Sequence, residues 1–269
     1  MSTGPEEPTT TDEPAPSASA PASGAPGRDA AYWAKNISTL KLGEVPAEAV
    51  NLNVTGRRVV GPVQGFGKMW QKTVRVQLHG ADASPTEVIQ TWKAEFQRFW
   101  PERNWFYAPL AGIAPGEVAL LNLGLPGRMK LSTGVLVLYA DDESFTLMTP
   151  EGHMLAGWIT FSAAATDGVT VVQIQALERT NDPLYELGYV LGGNRLNSRF
   201  WEQTAENLAR HFGVEPKVES QVVCVDRRRQ WRKAGNLRHN AGVRTFLWTL
   251  ATPVRWLGRL FSRRGADLP

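Results

Sequence analysis

"VTVVQIQALERTNDPLYELGYVLGGNRLNSRFWEQTAENLARHFG" (Val169–Gly213) holds the transition that decides the fold. Its opening residues alternate, with Val172, Ile174 and Ala176 on one face and Gln173 and Gln175 on the other, the period-two pattern of a half-buried strand. Asp182 then offers a helix N-cap and Pro183 occupies the first helical position. Beyond them Leu184, Leu187 and Leu191 form one helical stripe, Trp201, Ala205, Leu208 and Phe212 form another, and Gly213 closes the pattern. Glycine is costly inside a helix, so Gly192 and Gly193 predict a kink or short break. A strand therefore runs directly into a long C-terminal helix.

Upstream, strand-like segments follow one another without a helix between them. They are "EVALLNL" (Glu117–Leu123), "STGVLVLYA" (Ser132–Ala140), "SFTLMT" (Ser144–Thr149) and "LAGWITFSAA" (Leu155–Ala164). The short connections "ADDE" and "TDG" read as hairpin loops, which makes an antiparallel meander the natural pairing and excludes a doubly wound parallel sheet. Before the meander, "SPTEVIQTWKAEFQRFW" opens with Ser84 as N-cap, Pro85 at the first helical position and Glu87 closing a capping box, which predicts a helix from Pro85 to Trp100. "KTVRVQLHG" alternates Val74, Val76 and Leu78 against Thr73, Arg75, Gln77 and His79, a further strand. The Gly-rich "GPVQGFGKMW" (Gly61–Trp70) lacks the Lys-Ser/Thr ending of a nucleotide loop and reads as a turn entering that strand.

The order strand, helix, meander and long final helix over Trp70 to Phe212, with the "RTNDPLYELGYVLGG" junction, resembles the START-like (SRPBCC) helix-grip superfamily. The resemblance implies an α+β fold in which a curved antiparallel sheet wraps the C-terminal helix. It also implies a cavity between them that takes a hydrophobic small molecule or lipid. Candidate lining residues are Phe96, Trp100, Phe106, Tyr139, Phe145, Trp158, Leu187 and Leu191, with Met148 and Met154 nearby. The competing reading of each aromatic is plain core. Some members of that superfamily are cyclases or aromatases, which leaves an enzyme of that type as the alternative, with Tyr139, Glu151 and His153 as catalytic candidates. A third reading is an interaction protein with a filled core.

Composition narrows the field. The chain has 269 residues with 42% hydrophobic and 20% charged, ordinary for a globular protein, and a net charge of +3 too small to argue for nucleic acid. One cysteine, Cys224, forbids an intrachain disulfide and fits a reducing compartment. His79, His153, His211 and His239 are scattered without metal-ligand spacing, and no Gly-x-Ser-x-Gly elbow occurs, so neither metal nor cofactor is expected. The N-terminus lacks the basic and apolar regions of a secretory signal, so a cytoplasmic location is expected.

Three segments emerge. Residues 1–30, rich in Pro, Ser, Thr and Ala with no large apolar residue after Met1 until Tyr32 approaches, are expected to be disordered. Residues 31–225 carry the helix-grip domain with its lead-in, and 226–269 form a basic amphipathic extension. In "VRTFLWTLATPVRWLGRLFSRR" (Val243–Arg264) charges interrupt the apolar run, so it falls short of the roughly 20 residues of a membrane span. Its stripe matches a helix lying in a membrane surface at the inner face of the plasma membrane, attracted to anionic lipid. The contact residues would be Phe246, Leu247, Trp248, Leu250, Arg255, Trp256, Leu257, Arg259 and Phe261. Docking on the protein's own surface or on a second subunit is the competing reading, and nucleic acid is disfavoured because no recognition fold accompanies the arginines.

Overall fold

Eight strands among the described residues form one antiparallel sheet, in the order β2-β3-β4-β5-β6-β7-β1-β8. The computed structural model describes residues 30–35, 37–43, 49, 51–125 and 130–251. The segment expected to be disordered therefore lies, but for its last residue, outside the described residues, as do Arg255, Trp256, Leu257, Arg259 and Phe261. The strands are β1 Met69–Gln77, β2 Trp105–Tyr107, β3 Val118–Gly124, β4 Lys130–Ala140, β5 Ser144–Met148, β6 Leu155–Thr166, β7 Val169–Thr180 and β8 Val218–Asp226. The helices are α1 Pro85–Ala94, α2 Pro183–Gly188, α3 Asn194–His211 and α4 over 241–251. This is the helix-grip architecture, a curved antiparallel sheet closed on a long helical segment after β7.

The alternation read from the sequence fixes which side chains face the grip. Val74 pairs with Ile174 and Val76 with Val172, while Phe161 lies between Ile174 and Phe145 across β7, β6 and β5. Those residues turn to the concave face, where α1 and α3 cover them. Helix α1 starts as the capping box requires. Ser84 Oγ accepts from Glu87 N–H at 3.2 Å and Glu87 Oε2 accepts from Ser84 N–H at 2.8 Å. It ends earlier than its pattern suggests. At Glu95 the backbone leaves the helical region, and Phe96–Phe99 form a 3-10 turn instead. Three residues per turn put Phe96 and Phe99 on one side, and both are buried under the sheet.

The core is mainly aromatic. Trp92, fully buried, packs edge-on against Phe161 at 5.1 Å and Phe145 at 6.0 Å between centroids. Phe96 meets Phe145 at 5.3 Å and Phe106 at 4.8 Å, and Trp201 of α3 reaches Phe161 at 5.5 Å. Edge-to-face contacts of this kind add about 0.5–1.5 kcal/mol each to the gain from burial.

The convex face is wet along one strand and apolar along others. Along β7 it does carry Gln173 and Gln175. Over β3 and β4 it carries Val118, Leu120 and Leu136, and the lead-in lays Leu40 and Val54 onto them as a second core. Gly134 permits this approach, because a Cβ there would stand 2.5 Å from the Ala119 carbonyl oxygen and 2.8 Å from a Val54 methyl. Strands β2 and β8 carry no clear alternation and were not expected. Strand β8 pairs with β1, which places β1 inside the sheet.

Beyond β8 the chain stays bonded to the end of the sheet. Gln230 N–H donates to the Phe66 carbonyl at 2.7 Å, and Trp231 packs on the Phe66 ring at 5.2 Å. Asn236 Nδ2 donates to the carbonyls of Gln64 and Asn181, each at 2.9 Å. Asn240 caps α4 through Val243 N–H at 2.9 Å and donates from Nδ2 to Asp182 at 2.8 Å.

Two glycines should respond oppositely to alanine. Gly134→Ala is expected to cost about 1–3 kcal/mol, because backbone must move. Gly188 in α2 has helical φ −60 and no atom near its would-be Cβ, so Gly188→Ala should gain about 0.5–1 kcal/mol. Urea denaturation of both variants measures this.

Candidate functional site

Phe96, Trp100, Phe106 and Phe145, four of the candidate lining residues, lie together at the end of the grip where α1 passes into the 3-10 turn. Trp100 lies 5.6 Å from Phe96 and 5.5 Å from Phe106, and is backed by Phe200 of α3 at 5.1 Å. Above Phe96 and Phe106 the surface sinks into a depression of about 350 Å³, lined also by Lys93, Ala94, Glu95, Gln97, Arg98 and Ala108. Its floor is apolar and its rim polar. Gln97 anchors the rim by donating from Nε2 to the Asn104 carbonyl at 3.0 Å and accepting from Phe106 N–H. The indole N–H groups of Trp92 and Trp100 are buried with no acceptor among the described residues.

The other four lining candidates stand elsewhere. A β-bulge between Val137 and Tyr139 shifts the register, so Tyr139 pairs with Thr146 and turns to the convex face. There its ring packs on Trp33 at 4.8 Å and its hydroxyl donates to Asp141. Trp158 has the parity of the convex face and is partly exposed beside Gly61. Leu187 and Leu191 are largely exposed on the outer side of the helical segment.

The catalytic candidates occupy separate settings. Glu151 accepts from Arg58 at 3.0 Å and faces His239 at 3.6 Å and Arg57 at 3.9 Å. His153 is buried, with Leu155 N–H donating to its Nδ1 at 3.0 Å, and burial pushes its pKa down to about 4. Among the described residues no group of three or more His, Cys, Asp or Glu is placed to hold a metal ion.

A buried polar cluster on the concave face went unread. Lys72 Nζ lies 3.4 Å from Glu178 and donates to the Asn194 carbonyl at 3.2 Å. Tyr189 O–H and Asn197 Nδ2 both donate to Glu178 Oε1 at 2.7 Å. Burial lowers the Lys72 pKa against the raising effect of Glu178, and burial followed by the Glu178 charge raises that of the Tyr189 phenol. The cluster sits under a π-helical turn, Tyr189–Gly193, where Gly192 takes φ 130, open to glycine alone. Parity held the signal: Lys72 shares the face of Val74, and Glu178 that of Ala176.

Topology and element order are those of the helix-grip fold. Among solved structures, the chain is similar to protein Ms6760 from Mycobacterium smegmatis, at 12% identity over 52% of this chain and 89% of that one, with a TM-score of 0.39. It is similar to major latex-like protein 151 from Panax ginseng at 10% identity over 54% and 99%, with a TM-score of 0.35. It is also similar to the di-domain ARO/CYC StfQ of the steffimycin biosynthetic pathway at 12% identity over 54% and 50%, with a TM-score of 0.39. No family model and no curated protein matches the chain.

Two outcomes follow from the buried groups. Above pH 6.5 His153 is neutral folded or unfolded and contributes no pH dependence. Between pH 6.5 and about 4 only the unfolded chain takes up the proton, so stability should fall by about 3 kcal/mol across that window. Urea titrations at several pH values should show this slope, and His153→Gln should remove it. For the buried pair, Glu178→Leu alone should cost about 3–5 kcal/mol by stranding Lys72, while Lys72→Met combined with Glu178→Leu should cost clearly less.

Proposed function

We propose that the protein binds a small apolar molecule over Phe96 and Phe106, at the open end of the grip, while resting on an anionic membrane surface through its C-terminal extension. The depression carries this reading. An apolar floor of Phe96 and Phe106, with Ala94 and Ala108 beside polar residues on the rim, is the composition of a ligand site, and about 350 Å³ falls at the small end of such sites. Trp100 packs on both rings of the floor, at 5.6 Å from Phe96 and 5.5 Å from Phe106, and holds them in place.

The membrane part rests on the extension. Val243, Phe246, Leu247 and Leu250 recur at helical spacing on α4 and are all exposed, whereas Thr245 on the opposite side is buried. Trp248 is partly buried. Arginines flank the stripe, and the inner leaflet of the plasma membrane carries the anionic lipid that suits them. No helix among the described residues is long and apolar enough to cross a membrane, so a contact of this kind lies in the surface plane.

Titration with a naphthalene-based apolar fluorophore tests the site. Binding should saturate, and Ala108→Trp, which fills the depression from its exposed rim, should weaken it about tenfold or more without changing the melting temperature. Saturable binding untouched by Ala108→Trp would place the ligand elsewhere.

A further inference from the structure

We propose that the membrane-facing surface is built from two elements, α4 and the kinked α2–α3 segment, so that the body of the grip meets an anionic bilayer together with the extension. The inference rests on the membrane half of the function proposed above. It is carried by two exposed apolar stripes that share a junction.

The first stripe is that of α4, and this helix is not a loose arm. Thr245 Oγ1 accepts from Asn53 Nδ2 at 3.1 Å, and Ala241 N–H donates to the Gly152 carbonyl at 2.9 Å. With its inner side held in this way, Val243, Phe246, Leu247 and Leu250 are presented outward in a fixed direction. The second stripe is Leu184, Leu187, Val190, Leu191 and Leu196, each at least about half exposed and Leu191 77%. Its opposite side carries Glu186 and Tyr189, which are buried in the polar contacts of the sheet. The π-helical turn between α2 and α3 keeps Val190 and Leu191 outward while Tyr189 points in. Gly242 N–H, in the first turn of α4, donates to the Tyr185 hydroxyl of α2 at 2.8 Å, so the two elements touch where both stripes begin.

Charge selects the occupant. From Arg227 to Ala251 there are seven Lys or Arg and no acid. Between Pro183 and Trp201 the one carboxylate, Glu186, is buried and held by Arg229 at 2.9 Å, while Arg195 and Arg199 are exposed. Apolar side chains bordered mostly by cations, with Glu202 one turn beyond Arg199 as the exception, suit the boundary between headgroups and acyl chains of an anionic bilayer. A second copy of the chain would bring like charges together around a dry contact, which disfavours self-association.

Co-sedimentation of the full-length chain with phosphatidylcholine vesicles, with and without phosphatidylglycerol, tests the inference. Wild type should bind the anionic vesicles. Leu187→Gln with Leu191→Gln, and separately Phe246→Gln with Leu247→Gln, should each weaken that binding about tenfold, at unchanged melting temperature. Arg195→Gln with Arg199→Gln should reduce the dependence on phosphatidylglycerol. If only the α4 pair lowers binding, the two-element surface is overturned while the tail contact stands. If wild type ignores anionic vesicles, the membrane reading falls with it. If the free protein sediments as a dimer that the Leu187/Leu191 pair dissociates, the face belongs to a second copy and the inference is overturned.

Discussion

A sheet bent far enough to grip a helix has a concave face deeper than aliphatic side chains can fill from one side. Here the filling is done by rings that reach across from α1 and its 3-10 extension. Trp92, Phe96 and Trp100 meet Phe145, Phe161 and Phe106 of the strands and Phe200 and Trp201 of α3. Most of these contacts are edge-to-face, the arrangement that the ring quadrupole favours. The same packing leaves the indole N–H groups of Trp92 and Trp100 without acceptors among the described residues, because the ring positions are set by shape and not by hydrogen bonding. Where the filling stops, at Phe96 and Phe106, the surface dips.

The opposite end of the grip obeys a different constraint. Lys72 and Glu178 face inward from neighbouring strands, and a buried charge must be paired and hydrogen-bonded. Tyr189, Asn194 and Asn197 supply those bonds from the helical segment, and the π-helical turn sets them in register with the strands. Polar anchoring on the inner side leaves the leucines of the same segment facing out. The exposed stripe and the buried cluster are two sides of one helix orientation.

Coverage of the convex face links these ends. Leu40 and Val54 close the outer side of β3 and β4, and the loop containing Asn53 then receives Thr245 of α4. Arg179, at the end of β7, donates to the carbonyls of Gly67 and Arg228 and pairs with Asp226, which holds the turn before β1 and the chain beyond β8 against the same strand end. The extension is thereby part of the folded body through α4.

Much of this was legible in the residues. The period-two runs, the Ser84 capping box, the Asp182-Pro183 helix start and the Gly192-Gly193 break follow from local chemistry, and each stands in the structure. Phe96, Trp100 and Phe145 lie on segments whose periods could be counted, whereas Phe106 sits on the unexpected β2. What failed to show was whatever depends on register. Tyr139 was a candidate lining residue, and a single bulge turns it to the convex face. Strand β8, the lead-in over the convex face and the Lys72–Glu178 pair each join segments distant in sequence. The sequence by itself determined the element types, their order and the inward faces of the long strands, because those are set by neighbours a few positions apart. Only the tertiary structure decided which polar side chains meet, which apolar residues remain outside and where the filled core gives way to a depression, because these depend on the curvature of the whole sheet.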